Sequence, residues 1–424
     1  MAYQAVTGSS LSRMQHRAFT DSDCRRLSGW ICRLEYIGLP SGSPETILRN
    51  KLAVKIPIFT SFDFMITHPF DDGEQTRHMT RYFAMTGVAG YIAPRHLQAI
   101  KDTGNILLAA TDPHDSVGIL DRYFPETSFF TETERFDRHL EKLRRSKDQH
   151  SVDYVTICSP NNLHDAHIRM ALRVGADAIC EKPLVLNPWN LDVLQELEQE
   201  HEKRVFTLLQ LRVHPAIVAL KNRFSSEQQD GSTRPGGEAA ENKKATGDGK
   251  TGESTVPAKK RHVDLTYITS RGKWYLYSWK GDISRSGGIS TNIGIHFFDM
   301  LMWFFGPVQY NELHHSDPEK MSGFMELEHA TVSWYLSLDR KDLPAQAIAD
   351  GKPTYRSITI DGEEVEFSGG FTDLHTRVYE EILVGRGFGI DDARESIKLV
   401  HDLRNMPVSR SSDMLHPMLR SKSL

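Results

Sequence analysis

Cysteine is scarce in this chain, and its spacing suits neither metal binding nor disulfides. Four occur in 424 residues, at Cys24, Cys32, Cys158 and Cys180, and no two form a CxxC pair. A zinc knuckle or a disulfide framework is therefore not expected, and we predict no metal site. This usage suits a reducing compartment, so we expect a cytoplasmic location. The chain also lacks any run of about 18 apolar residues, the length that a membrane helix needs.

An excess of basic charge is missing too, because the formal net charge is -5. A generally basic nucleic-acid-binding protein is therefore disfavoured. No charged-then-apolar signal peptide is recognisable. We expect neither nucleic acid nor a membrane as a partner. At about 150 residues per domain, the length predicts two or three domains.

Two stretches lack the periodicity of helices or strands. Residues 1–78 mix Arg, Ser, Asp and short apolar pieces, which indicates a disordered or non-native extension. The alternative is an organelle-targeting segment, but Asp21, Asp23 and Glu35 count against it, because such segments are poor in acids. Residues 225–260 are almost entirely small, polar or charged, so we predict a disordered loop insertion.

Elsewhere, strand-like and helical patterns alternate from Tyr82 onward. Strand-length apolar runs stand at 82–86, 106–110, 153–158, 177–180 and 205–209. Longer stretches with helical spacing separate several of them, which predicts a parallel sheet covered on both faces. After the insertion come strand-like runs at 262–269, 330–338, 355–360 and 363–367, and an apolar helix at about 291–305. This second pattern predicts an α+β domain with an open sheet.

The first candidate motif is TGVAGY, residues 86–91, which follows a predicted strand and opens a helix. Glycines let the backbone approach a pyrophosphate at a helix N-terminus. The GxxG spacing is shorter than the usual GxGxxG, and such turns are also common for packing reasons. Asp112 follows the next strand, where an acid can hold a ribose 2′-hydroxyl and repel a 2′-phosphate. The turn and the acid together predict a dinucleotide site that favours NAD.

Two more motifs stand at the carboxyl ends of predicted strands, where ligands of α/β sheets bind. The first is CSPNNLH, residues 158–164, whose polar side chains either line a site or cap a helix. The second is Glu181-Lys182-Pro183. Burial readily lowers a lysine pKa, so Lys182 can transfer a proton or hold a developing oxyanion. The alternative is a solvated lysine with a local glutamate partner.

The apolar helix at 291–305 carries Asn292 and His296 four residues apart, on one face. A polar side chain among apolar neighbours needs a partner, so His296 is either a satisfied core histidine or a site residue. The preceding Gly287-Gly288 favours the site. Residues 267–285 interleave cations with aromatics, a pattern typical of phosphate and base binding. The alternatives there are a solvated strand face or a single-stranded nucleic-acid site.

In this order the motifs resemble the Gfo/Idh/MocA family of nicotinamide-dependent oxidoreductases. The segments YFAMTGVAGYIAPRHLQAIKDTGN, ICEKPLV and TNIGIHFFDML look like the WlbA/WbpB-type UDP-N-acetylglucosaminuronic acid 3-dehydrogenases. The resemblance runs from about 82 to 394, apart from the insertion. It implies an α/β fold with an N-terminal Rossmann domain at 79–212. An α+β domain with a large open sheet follows at 213–405, and a C-terminal tail at 406–424.

The implied activity is NAD-dependent oxidation of the C3 hydroxyl of a UDP-N-acetyl-amino-uronic acid. The resemblance further implies 2-oxoglutarate as the hydride acceptor, a role in surface polysaccharide (O-antigen) biosynthesis, and a homo-tetramer. His296 is the preferred base, with Lys182 stabilising the alkoxide; swapped roles stay open. The alternatives are an oxidoreductase for inositol or another free sugar, and a non-catalytic NAD-binding regulator.

The resemblance also carries site residues onto this chain. The catalytic pair is Lys182 and His296. The cofactor-binding residues are Gly87, Ala89, Gly90, Tyr91, Ile92, Asp112, Ser159, Pro160, Asn161, His164, Glu181, Lys182 and Gln210. The substrate-binding residues are Arg212, Arg271, Trp274, Tyr275, Trp279, Lys280, Asn292 and His296. Asn292 stands where the wider family has an acid, and an amide orients a hydroxyl but cannot act as a general base.

Overall fold

The computed structural model of the chain describes residues 79–115, 118–147, 149–232, 260–365, 372–409 and 414–420. The predicted N-terminal extension, 1–78, lies outside these ranges. No helix within them is long and apolar enough to cross a membrane.

The first sheet has six parallel strands in the order β3-β2-β1-β4-β5-β6. The strands are β1 Tyr82–Thr86, β2 Ile106–Thr111, β3 Ser128–Phe130, β4 Tyr154–Ile157, β5 Asp177–Cys180 and β6 Val205–Thr207. Almost every residue of β1, β4 and β5 is buried, which confirms the predicted sheet covered on both faces. The three-residue β3 was not predicted, because it is too short to show a pattern.

A helix follows each of these strands along the chain. They are α1 Ala93–Asp102, α2 Gly118–Tyr123, α3 Thr133–Arg145, α4 His164–Arg173, α5 Trp189–His201 and α6 Pro215–Ser232. α3 buries Phe136, Leu140 and Leu143, the apolar face that its spacing predicts. The strand order changes direction between β1 and β4. In sheets of this kind, ligands bind at such a switch point, outside the carboxyl ends of the strands.

The second sheet has the order β12-β11-β7-β10-β9-β8 and is antiparallel except for the β7–β10 pair. Its strands are β7 Arg261–Thr269, β8 Val308–Ser316, β9 Lys320–Leu327, β10 Ala330–Ser337, β11 Thr354–Ile360 and β12 Glu363–Glu364. β8 and β9 were not predicted. β9 is buried on both faces, so it shows no alternation, and Gly323 reads as a breaker. A Cβ at Gly323 would meet the carbonyl oxygen of Glu312 at 2.3 Å, so the paired strand requires the glycine.

The remaining helices pack around both sheets. They are α7 Trp274–Tyr277, α8 Ile283–Ser286, α9 Ile295–Phe305, α10 Ala345–Ala349, α11 Leu374–Leu383, α12 Ile390–Asn405 and α13 Pro417–Arg420. α11 packs in the core of the first sheet, where Val378 and Tyr379 join a cluster with Phe83 and Met85. A segment from the predicted second domain therefore completes the nucleotide-binding half of the protein.

The helix predicted at 291–305 is present, but its first turn is not α-helical. It begins with a π-helical turn, Ser290–Gly294, and only then continues as α9. Such turns inside helices are rare and occur mostly at functional sites. A Cβ at Gly294 would lie 2.7 Å from Leu336 and 2.8 Å from Phe298, so this turn packs tightly against β10.

The predicted insertion also differs from the structure. Residues 225–232 continue α6, so the prediction that they are disordered is wrong. Glu227 forms an ion pair with Arg261 at the start of β7. Residues 233–259 lie outside the described ranges.

Deleting 233–259 and joining the ends with a short Gly-Ser linker should leave the melting temperature within a few degrees of wild type. The reason is that the cost of loop closure changes slowly with length. A deletion that starts at residue 225 should lower the melting temperature further, because it removes helical residues and the Glu227–Arg261 pair. A chain starting at Met79 should also keep a melting temperature close to that of the wild type. Thermal unfolding of all three variants measures these effects. Loss of soluble protein on removing 233–259 would show that the segment is integral to the fold.

Candidate active site

The turn after β1 lies against the turn after β4. Gly87 has φ +75°, and a Cβ there would meet the backbone of Cys158 and Ser159 at 2.6 Å. Only glycine fits such a position. The Ala89 N–H donates to Asp112 Oδ2 at 3.0 Å, which holds the turn to the end of β2. The predicted glycine turn and acid are therefore in direct contact.

The residues at this edge suit a dinucleotide. The start of α1 has Ile92 as its N-cap, with no hydrogen bond from a capping side chain. A helix N-terminus favours a phosphate. Gln210, after β6, has a buried Oε1 without a partner in the described structure. Gly87 thus lets a ligand approach the backbone closely. Asp112 offers an acceptor for a ribose hydroxyl, and Gln210 offers an amide oxygen that has no partner in the described structure.

The turn after β4 is tied to both of its neighbours. Asn161 Nδ2 donates to the carbonyl oxygen of Ser286 at 2.8 Å, just before Gly287-Gly288. His164 lies 2.7 Å from the carbonyl oxygen of Pro183 and 2.9 Å from that of Ser159. Burial lowers the pKa of His164, and a neutral ring carries one N–H, so it donates to one of these carbonyls at a time. These two predicted cofactor residues therefore position the turns around the site.

Other predicted cofactor residues lie in the same two turns. The Ser159 hydroxyl is 2.8 Å from His167 Nδ1, and Pro160 begins the short 3-10 helix Asn161–Leu163. Tyr91, beside Gly90, is largely exposed. The structure brings these residues to one edge of the sheet, as predicted.

Lys182 extends from the end of β5 to the π-helical turn. Its Nζ donates to the carbonyl oxygen of Asn292 at 2.6 Å. Burial lowers the pKa of Lys182, the charge of Glu181 raises it, and the charges of Lys280 and Arg271 lower it further. The side chain is therefore fixed in direction.

His296 lies in the first turn of α9 and is half-buried. Burial, and then the nearby charge of Lys182, hold the pKa of His296 well below its ordinary value. The ring is therefore neutral near neutral pH, as a general base must be. Asn292 Nδ2 donates to the hydroxyl of Tyr275 at 2.6 Å, which fixes the amide. Lys182 and Tyr275 thus both contact Asn292, and the charge of Lys182 acts on His296 four residues further along.

A rim of cations and aromatics borders this group. The Lys280 ammonium lies 4.5 Å from the ring centre of Trp279 and 5.7 Å from that of Trp274. Arg271 is exposed, and its charge, like that of Lys280, acts on Lys182. Trp274 is 53% exposed and offers a flat face. The rim suits an anionic ligand that carries a planar ring.

Arg212 was predicted to bind substrate, but the structure gives it protein partners. Its guanidinium donates to both carboxylate oxygens of Asp299, at 3.0 and 2.8 Å, and to Asp392 at 3.0 Å. The side chain is 11% exposed. Burial raises the pKa of Asp299, and the Arg212 charge opposes this shift. Since a buried carboxylate needs such a partner, Arg212 is explained as a link from the end of β6 to α9 and α12.

Glu181, predicted to bind the cofactor, has protein groups as partners of its carboxylate. Its Oε1 lies 3.0 Å from His96 Nε2 and 3.3 Å from His375 Nε2. The Lys182 backbone N–H donates to its Oε2 at 3.1 Å. Neither His96 nor His375 was among the site residues predicted from the sequence. A signal existed in His375 and Tyr379, which stand four residues apart on α11.

Within the described ranges, His96, Glu181 and His375 also have ligand atoms within 4.8 Å of one another, close enough to hold a metal ion. Each of those atoms has a hydrogen-bond partner inside the group. Hydrogen bonds therefore link the three side chains to one another.

The fold and the site define a Rossmann-type oxidoreductase, and comparison with known proteins gives the family. The model of the oxidoreductase family with an NAD-binding Rossmann fold, Gfo/Idh/MocA, matches residues 81–208. The model of the C-terminal alpha/beta domain of that family matches residues 259–417. The chain belongs to the Gfo/Idh/MocA oxidoreductase family.

Solved structures of the WlbA (WbpB) dehydrogenase from Thermus thermophilus are similar to this chain over most of its length. The complex with NAD and alpha-ketoglutarate is 49% identical, covers 80% of this chain and 99% of its own, and has a TM-score of 0.70. The complex with NAD and UDP-GlcNAcA is 48% identical, with the same coverage and a TM-score of 0.69. The resemblance to WlbA/WbpB-type dehydrogenases that the sequence motifs indicated is thereby confirmed.

The curated relatives are more distant. Inositol 2-dehydrogenase from Rhizobium meliloti is 25% identical over 231 residues, which are 54% of this chain and 56% of the relative. The chain spans about half or less of the length of the curated relatives it matches first.

Proposed function

We propose that this protein is an NAD-dependent dehydrogenase that oxidises the C3 hydroxyl of UDP-N-acetylglucosaminuronic acid or a closely related UDP-amino-uronic acid. The observation that carries the proposal is the Lys182 ammonium held on the carbonyl oxygen of Asn292, four residues before His296 on the same helical segment. The charge of Lys182 acts on His296, and the charges of Arg271 and Lys280 act on Lys182. The Thermus thermophilus relative, matched over 99% of its chain, binds NAD and this sugar acid in solved structures.

The two catalytic side chains take different parts of one proton transfer. Neutral His296 accepts the proton of the C3 hydroxyl, because its lowered pKa leaves the ring free to take it. Lys182, as a cation, donates a hydrogen bond to the developing alkoxide. NAD, when bound, supplies the hydride acceptor. Asn292, fixed by Tyr275, orients a neighbouring hydroxyl.

The charge of the site favours a nucleotide-sugar acid over a free sugar. Three cations lie close enough for their charges to interact. The charges of Lys280 and Arg271 lower the pKa of Lys182, and the charge of Arg271 lowers that of Lys280. Three cations attract a diphosphate and a uronate carboxylate, whereas inositol is uncharged and gives them no partner. A regulator that only binds NAD has no need for a proton acceptor and an alkoxide donor. The presence of both Lys182 and His296 therefore favours an enzyme.

We further propose that 2-oxoglutarate takes the hydride in the return step, since the relative binds alpha-ketoglutarate together with NAD. A 3-keto sugar can be transaminated, so we propose that the reaction precedes an aminotransferase in surface polysaccharide biosynthesis. The homo-tetramer and the cytoplasmic location remain predictions.

A substrate panel tests the proposed function. Purified protein is mixed with UDP-GlcNAcA, UDP-GlcNAc, inositol or glucose. The nicotinamide absorbance is followed without 2-oxoglutarate, and the 2-hydroxyglutarate formed is measured when 2-oxoglutarate is present. We expect turnover with UDP-GlcNAcA only, and more turnovers per protein when 2-oxoglutarate is present. Faster turnover with inositol would contradict the assignment, and no turnover with any sugar would favour the regulator.

Asp112 should set the cofactor preference. Its buried carboxylate repels a 2′-phosphate, so wild-type protein should bind NAD more tightly than NADP. Asp112→Asn removes the charge and keeps an acceptor for the Ala89 N–H, so the preference should fall by about tenfold, or roughly 1.4 kcal/mol. Binding titrations with both cofactors measure it. Tighter binding of NADP by the wild type would remove Asp112 from this role.

A further inference from the structure

A buried carboxylate stands immediately before the catalytic lysine and is surrounded by donors. Glu181 receives contacts from His96 at 3.0 Å, from His375 at 3.3 Å and from the Lys182 backbone N–H at 3.1 Å. All three side chains of the cluster are buried. Donors on every side stabilise the charged form of a carboxylate.

The hydrogen bonds of this cluster form a chain in which each group donates to the next and Glu181 is the final acceptor. Burial lowers the pKa of His96, so its ring is neutral and has one N–H. With Nε2–H donated to Glu181, Nδ1 must accept, and the Tyr379 hydroxyl donates to it at 2.9 Å. The Thr156 hydroxyl, also 2.9 Å away, then donates to Tyr379. The tautomer follows from this network.

The cluster joins distant parts of the chain. His96 lies on α1, Thr156 on β4 and Glu181 after β5, whereas His375 and Tyr379 lie on α11. The last two are four residues apart and so share one face of their helix. Because α11 packs on the first sheet, His375 from the C-terminal part of the chain contacts Glu181, the residue that precedes Lys182.

We propose that His96 and His375 are positioning residues for Lys182: they keep Glu181 ionised beside it, so that Lys182 remains a cation. This inference rests on the proposed function, in which a charged Lys182 stabilises the alkoxide. Without Glu181, the half-buried ammonium would face Lys280 and Arg271 with no opposing charge among the groups that act on it.

The pKa directions agree with this geometry. Burial would raise the pKa of Glu181, but the hydrogen bonds from His375 and His96, together with the electrostatic attraction of these two rings, hold that pKa well below its ordinary value. Besides Lys182, five titratable groups around Glu181 favour their uncharged forms. Burial raises the pKa values of Cys158, Cys180 and Tyr379 and lowers those of His164 and His296.

The test measures the charge of Lys182 directly, in protein without substrate. Limiting acetic anhydride is applied across a pH series, and acetylation of Lys182 is quantified by mass spectrometry against an exposed lysine. Only the neutral amine reacts, so the midpoint reports its protonation. In Glu181→Gln we expect the midpoint to fall by about one pH unit or more, since an opposite charge is lost.

A pair of substitutions at His375 separates its donor role from its volume. His375→Leu removes the N–H and should lower the midpoint in the same direction. His375→Gln retains an N–H donor and should restore it toward wild type. The control is His314→Gln, which alters a buried histidine paired with Glu312 on β8 and should leave the midpoint unchanged.

An unchanged midpoint in Glu181→Gln would overturn the inference. If that variant fails to fold, the His375 pair decides, and equal midpoints in His375→Leu and His375→Gln would overturn it. As a second readout, the alkaline limb of the turnover profile should move to lower pH in Glu181→Gln. Failure of the proposed function is distinguishable, because a wild type without sugar turnover still gives a labelling midpoint.

Discussion

Replacing His296 with alanine is expected to slow sugar oxidation by about a hundredfold or more, the usual contribution of a general acid–base group. Lys182→Ala should cause a loss of similar size, because the alkoxide loses its charged donor. Single-turnover rates with UDP-GlcNAcA measure both. The double variant should be much less than multiplicatively worse, since the two residues act on one hydroxyl as a unit.

The pH profile separates the two roles. His296 must be neutral to accept a proton, so turnover falls as pH drops through its pKa, which lies well below the ordinary histidine value. Lys182 must be charged, so turnover falls as pH rises through its pKa, which is lowered from the ordinary lysine value. In His296→Ala the acid limb should disappear and the alkaline limb should remain.

Two controls make this result specific. NAD affinity should change little in either variant, because neither side chain needs to contact the adenosine half. His262→Ala, a substitution of an exposed histidine on β7, should leave the rate unchanged. Near wild-type turnover in His296→Ala or Lys182→Ala, with the fold intact, would exclude that residue from the mechanism.

The second large effect is expected at Gly87. Gly87→Ala combines a positive φ with a Cβ placed 2.6 Å from the backbone of Cys158 and Ser159, which cannot move aside as a side chain can. Backbone strain costs roughly 1–2 kcal/mol, and overpacking adds roughly 1–3 kcal/mol. We therefore expect the free energy of unfolding to fall by about 2–5 kcal/mol, and NAD binding to weaken as the turn shifts.

Gly104 provides a matched control for this prediction. Its φ is +72°, close to that of Gly87, but no atom lies within 4 Å of the position that a Cβ would take. Gly104→Ala should therefore show the strain alone, about 1 kcal/mol, and normal NAD binding. Urea denaturation and a cofactor titration compare the two variants. An equal loss in both would mean that contact with the β4 turn contributes nothing.

The sequence predicted those parts of the fold whose signal is local. The strands from β1 to β6, apart from β3, stand out as short apolar runs, because a parallel strand covered on both faces must be apolar throughout. Asn292 and His296 stand out because polar side chains are conspicuous in an apolar helix. Lys182 was found because it follows such a strand.

Other features depend on contacts that a single sequence does not display. Gly323 looks like a strand breaker until Glu312 and Trp334 are seen to leave no room for a side chain. The partners of Arg212 lie 87 and 180 residues away, so its burial between Asp299 and Asp392 has no local signal. The His96–Glu181–His375 cluster likewise exists only because α11 returns to the first sheet.

The most direct test of the proposed reaction follows the hydrogen itself. UDP-GlcNAcA carrying deuterium at C3 is incubated with the protein, catalytic NAD and 2-oxoglutarate, and the 2-hydroxyglutarate formed is analysed by mass spectrometry. We expect one deuterium at C2 of 2-hydroxyglutarate in the wild type, with the yield at a fixed time reduced at least about a hundredfold in His296→Ala. Formation of 2-hydroxyglutarate without deuterium, or equal yields from wild type and His296→Ala, would contradict the proposed reaction.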